Sequence, residues 1–103
     1  MKVITKKITQ QYFEDVWAEK KQFELRKEDD VTFDEDDLLI LLEINGKKEY
    51  TGRLVMCRVI YVLRNYEGLE KGYAIIGIQL EDTFKAHWEK ESAQNKENTS
   101  QTD

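Results

Sequence analysis

Leu38-Leu39-Ile40-Leu41-Leu42-Glu43-Ile44 is followed by Asn45-Gly46 and then by Tyr50-Thr51-Gly52-Arg53-Leu54-Val55-Met56-Cys57-Arg58-Val59-Ile60-Tyr61-Val62-Leu63. Asn-Gly between two apolar runs is a strong hairpin signal. The runs on either side therefore read as paired strands. In the second run both alternating sets, Leu54/Met56/Arg58/Ile60/Val62 and Val55/Cys57/Val59/Tyr61/Leu63, are mostly apolar. A strand buried on both faces has this character. In a chain of 103 residues it predicts a curved or closed sheet covered by a helix, with no wet face. A strand this long is expected to bend or bulge, and Gly52 is the place.

Downstream, residues 64–72 hold two glycines and read as a loop. Residues 73–80 read as another strand. Gly77 interrupts it, which predicts a bulge or a close backbone approach. Phe84 and Trp88 are spaced for a short helix over 81–91. From Ser92 onward the chain is polar and is expected to be disordered. One domain over 1–91 and a disordered tail over 92–103 follow.

Upstream, Val3, Ile4 and Ile8 mark a first strand over 3–8, and Thr9 is suited to cap a helix. Tyr12, Phe13, Val16 and Trp17 form an apolar helical stripe, which predicts a helix over about 10–20. The segment 21–27, Lys-Gln-Phe-Glu-Leu-Arg-Lys, alternates as a strand does. Phe23 and Leu25 are expected to anchor it to the core. Gln22, Glu24 and Arg26 then present charge on the other side. Residues 28–37 carry seven acids and no base. Such density favours a solvated loop, with Val31 and Phe33 dipping into the core. The loop lacks the glycine and terminal glutamate spacing of a calcium-binding EF-hand loop.

The net charge of −5 hides a strong asymmetry. Residues 1–27 sum to +3, 28–37 to −7, 38–88 to +1 and 89–103 to −2. The negative excess lies in one loop and one tail. The mildly basic body is no dense nucleic-acid footprint, yet it has room for a local site. No apolar run is long enough to span a membrane, and no apolar segment follows the basic N-terminus as a secretory signal requires. The lone Cys57 supports neither disulfides nor a zinc cluster and reads as an inert core thiol. His87, the only histidine, reads as a surface residue. No cofactor motif is present, so no cofactor and no metal are expected, and the location expected is cytoplasmic.

Chemistry is expected from Lys21, Glu24 and Arg26, with Lys27 close by. Arginine offers a planar donor fork suited to phosphate or a base edge, glutamate orients it, and lysine adds a mobile charge. Arg64, Tyr66 and Tyr73 are candidate ligand-binding residues if the 64–72 loop folds over this row, with Tyr61 nearby. Cross-strand salt bridging is the plain alternative for the same charges.

Residues 21–26 resemble the G-x-K-x-x-E-x-R signature of the ASCH domains, relatives of the PUA fold. Gln11-Tyr12-Phe13-Glu14-Asp15-Val16, Glu49-Tyr50-Thr51-Gly52-Arg53, Tyr61-Val62-Leu63 and Gly68-Leu69-Glu70-Lys71-Gly72-Tyr73 extend the likeness. Together these blocks are similar to a small bacterial and phage domain of unknown function in that superfamily. The resemblance implies an α+β, mostly β architecture: a small, mostly antiparallel PUA-like β-barrel with one helix beside a cleft lined by Lys21, Glu24 and Arg26. It implies an RNA- or nucleotide-binding role. Two alternatives accompany it. One is a small amidohydrolase acting on acetylated cytidine, with Lys21 and Glu24 as its catalytic pair. The other is a phage interaction factor whose acidic loop, 28–37, meets a basic protein partner. Glu19 stands where the signature has glycine, and Glu24 stands where the hydrolase branch has threonine. Oligomeric state is not legible.

Overall fold

A computed structural model describes residues 1–86. The element order is β1 (Val3–Thr9), α1 (Gln10–Trp17), β2 (Phe23–Lys27), β3 (Leu38–Ile44), β4 (Tyr50–Leu63) and β5 (Tyr73–Lys85). More than half of these residues are in strands, and the sheet curls into a half-barrel with one short helix. The strand order is β1-β3-β4-β5-β2. The sheet is mostly antiparallel, as expected, with one exception: β1 runs parallel to β3. The other neighbours are antiparallel. The edge strands β1 and β2 leave the barrel open between them, and α1 connects them.

The core fills the concave side. Ile4 and Ile8 of β1, Leu39 and Leu41 of β3, Val55, Cys57 and Val59 of β4, and Ala74, Ile76 and Ile78 of β5 all point inward. Phe13 and Val16 of α1 and Phe33 of the acidic loop plug the hollow of the sheet. Burial explains the Cys57 thiol, which is pushed up to about 12, with the Glu24 and Glu81 carboxylates adding to the effect.

The strand β4 is buried on one face only, contrary to expectation. Leu54, Met56 and Arg58 are half-buried and Ile60 and Tyr61 are exposed. Outward apolar side chains here pair laterally across strands, Ile40 opposite Met56 and Leu42 opposite Leu54, instead of lying under a second layer. The β3–β4 register shifts between Leu42 and Ile44, opposite Gly52, whose φ is 102°. A second irregularity falls at Ile60, beside Gly77. A Cβ on Gly77 would stand 3.3 Å from that of Tyr61, which is the close approach the glycine signalled.

Three expectations fail in instructive ways. Residues 81–85 extend β5, with 82–85 pairing with β4 from Met56 back to Arg53 and Glu81 left at a register shift, so they are not helical. The remainder of the expected helix, His87 and the tail 92–103 lie outside the described residues. The helix α1 stops at Trp17, short of residue 20. There Glu19 turns left-handed (φ 61°), Glu19 N–H donates to Val16 O at 3.0 Å, and Lys20 N–H donates to Asp15 O at 2.8 Å. This is a Schellman closure. Finally, Thr9 occupies the cap position but its hydroxyl makes no capping hydrogen bond.

Four of the seven acids of the 28–37 segment are tied down. Asp37 is buried and accepts from the Lys2 amide and the Asp34 amide, each at 2.8 Å. Glu28 accepts from the Phe33 amide and pairs with Arg64. Lys2 and Lys6 of the N-terminal strand region neutralise Asp34 and Asp30. Phe33 and Val31 reach the core as expected, and the paired acids dock a loop whose other residues are exposed.

Candidate functional site

The alternation along β2 is as expected, but its sense is reversed. Register with β5 sets Glu24 opposite Ile76 and Arg26 opposite Ala74, both inward-facing. Glu24 is therefore only 3% exposed, while Phe23 and Leu25 point outward at 50% and 53%. Beneath an edge strand of an open half-barrel, the inward direction leads into a hollow as well as to core. A carboxylate is tolerated there because it is paired.

Both Glu24 oxygens are engaged. Lys21 Nζ bonds Oε1 and also donates to the Phe23 carbonyl at 2.8 Å. Arg26 donates to Oε2 through Nε at 2.9 Å and Nη2 at 2.7 Å. Arg26 Nη2 also donates to the Lys7 carbonyl of β1 at 2.9 Å. One guanidinium thereby spans the open side of the sheet. Two cations share one carboxylate, so the cluster keeps a net positive charge.

The cluster forms the floor of a hollow of about 500 Å³ between β1, the start of α1 and β2, with Ile8, Thr9, Tyr12, Phe23 and Leu25 completing its walls. The Lys21 ammonium stands 5.8 Å from the Tyr12 ring centroid and 5.0 Å from that of Phe23. Half-exposed aromatic rings thus flank a cation above an apolar wall.

The structure gathers Lys21, Glu24 and Arg26 at this hollow. It does not bring Lys27, Arg64, Tyr66 or Tyr73 there. Lys27 sits at the end of β2 on the outer face, opposite Tyr73. Arg64 is held by Glu28 and the Phe33 carbonyl. Burial and that pairing depend on each other: the Arg64 hydrogen bonds keep the Glu28 carboxyl below its ordinary range. Tyr66 is exposed on the 64–72 loop, and Tyr61 is exposed on the outer face. The aromatic partners of the site are Tyr12 and Phe23 instead. One signal in the sequence pointed to the first: Tyr12 lies about 100° from Phe13 on the helix, at the edge of the apolar stripe.

A second charged cluster lies under α1. Glu43, fully buried, accepts from Arg53 Nε at 2.9 Å and Nη2 at 2.7 Å, and from the Thr51 hydroxyl. Arg53 also pairs with Glu14 and lies over the Phe13 and Trp17 rings, 4.9 and 5.1 Å from their centroids. Both Glu43 oxygens are engaged in this network.

No helix among the described residues is long and apolar enough to cross a membrane. Residues 5–78 match the family model described as Domain of unknown function (DUF3850). The match covers most of the chain, and the protein belongs to that family. No curated protein matches the chain.

Proposed function

We propose that this member of a family without a known activity is a binding module for a nucleotide or a flexible single-stranded RNA segment. The observation that carries the reading is the shared carboxylate: Glu24 aims Lys21 and Arg26 into one hollow while leaving the cluster net positive. Arg26 and Lys21 take phosphate or other acceptor groups. Glu24 fixes their orientation. A base lies against Tyr12 or Phe23, where stacking is worth about 1–3 kcal/mol per base. The first turn of α1 opens on the same space, with its cap hydroxyl unused, and its amides favour an anion. The likeness to ASCH and PUA-like domains points the same way.

Calorimetry and amide shift mapping against nucleotides and short RNAs test this. Saturable binding is expected, with shifts at Tyr12, Phe23 and Arg26. Two phosphate-contacting cations give a log K against log salt slope of about −1.4 for a single strand. Arg26→Ala abolishes binding and leaves the circular dichroism spectrum intact. A panel with no saturable signal overturns the proposal.

One observation favours hydrolysis of an acetylated cytidine as a second reading. Lys21 bonds Glu24 directly under apolar walls, the contact a proton-transfer pair requires. Incubation with that nucleoside would then release acetate and cytidine, and Lys21→Ala would stop it. No product on chromatography removes this reading.

A further inference from the structure

Lys21 has two sides. Across it from the cleft lies a second hollow of about 310 Å³, between the α1–β2 connection and strands β4 and β5. Both hollows fall in the size range of ligand clefts, which begins near roughly 300 Å³. Their chemistries differ. The cleft has cations and aromatic rings. The second hollow is walled by Val16, Ile60, Ile78 and Leu80 and is bordered by Gln22 and the exposed Gln79. A carboxamide pairs a donor with an acceptor, as reading a base edge requires; Gln22 Nε2 already donates to the Glu19 carbonyl at 3.0 Å, which leaves its oxygen and one N–H. Among the described residues the hollow's one cation is Lys21, and Glu19 adds a carboxylate. Such a space favours a neutral heterocycle over a phosphate. The Cys57 thiol on its wall is neutral, being pushed up to about 12, and serves as apolar surface.

We infer that the ligand unit is two successive nucleotides, one on each side of Lys21. The base of one enters the Gln22/Gln79 hollow, the other packs against Tyr12 and Phe23, and Lys21 with Arg26 holds the phosphodiester between them. The inference rests on the nucleotide-binding reading of the cleft and sets its ligand length.

The test compares dinucleoside monophosphates with nucleoside 5′-monophosphates by calorimetry and amide shift mapping on the whole chain. Dinucleotides are expected to bind at least about tenfold tighter, since joining two sites makes the second contact intramolecular. Shifts should appear at Ile60 and Gln79 as well as at Tyr12 and Phe23. Ile60→Trp, placed on an exposed bulge to fill the second hollow, should bring dinucleotide affinity down to the mononucleotide level. Gln79→Ala, also exposed, should do so in part and guards against misfolding of the first variant. Dinucleotides that bind no tighter, with shifts confined to the cleft, overturn the two-nucleotide inference and leave the cleft reading standing. Tight dinucleotide binding that survives both substitutions overturns it too. No saturable binding of either ligand class overturns both.

Discussion

At the scale of single residues, Glu19 shows how one dihedral limits an element. The helical pattern through Trp17 says nothing of where the helix must stop, and residue 20 is a fair expectation from periodicity alone. The stop comes from a left-handed residue at the position after the C-cap, where glycine is at ease and a side chain costs about 1–2 kcal/mol. Glu19→Gly is therefore expected to stabilise the fold by about 1 kcal/mol, part of the relief being offset by a floppier unfolded chain. Denaturant unfolding checks this as a raised midpoint with an unchanged slope. An unchanged or lowered midpoint would mean the turn carries no strain. Gly77 was legible for the opposite reason: a glycine inside an apolar strand has few roles other than letting something come near.

At the scale of elements, strands were legible and their facing was not. The pattern of β2 announces a period of two, yet a period has no sign. Whether Phe23 or Glu24 turns inward is decided by pairing with β5, and a one-residue change of register reverses every side chain. Residues 81–85 erred through the same neglect of partners. Phe84 and Trp88 suggested a helix, but the first half of β4 needs a neighbour on its far edge, and the ladder hydrogen bonds outweigh a weak local preference. The pairing of Arg53 with Glu43 is likewise a product of assembly, since the two lie on neighbouring strands of the β3–β4 hairpin and converge beneath α1. Arg53→Ala strands a buried carboxylate and is expected to cost about 3–5 kcal/mol. Replacing both partners, Glu43→Met with Arg53→Leu, should recover much of that loss in equilibrium unfolding. If the double variant is no more stable than Arg53→Ala, the penalty lies in lost packing on Phe13 and Trp17 and not in the orphaned charge.

At the scale of the whole molecule, buried acids fasten the fold at separate points. Burial alone pushes the Asp37 and Glu43 carboxyls up, but hydrogen bonds and ion pairs outweigh it and hold both below their ordinary range. For Asp37 these come from Lys2 and the Asp34 amide, and for Glu43 from Arg53 and Thr51. Glu28 is lowered as well, chiefly by Arg64. A carboxyl depressed in the folded state binds fewer protons there than in the unfolded chain. Its stabilisation is complete above the unfolded value near 4 and fades as pH falls through the folded values. The melting temperature should thus be level near neutrality and drop steeply below about pH 4. Glu43→Gln should lower it at pH 7 and flatten the acid limb. A limb as steep as in the parent would remove Glu43 from this account. A net charge of −5 revealed none of these fastenings, since a sum carries no pairing and two of them, Lys2 with Asp37 and Arg64 with Glu28, join residues about 35 apart.

Arg26 is at once the fork offered to a ligand and the strap from β2 to the Lys7 carbonyl of β1. A phosphate that recruits this guanidinium competes with that carbonyl, so occupancy and the gape of the half-barrel become one coordinate. Filling the site would loosen or re-seat the two margins of the sheet together, and deuterium uptake along β1 and β2 would change in step.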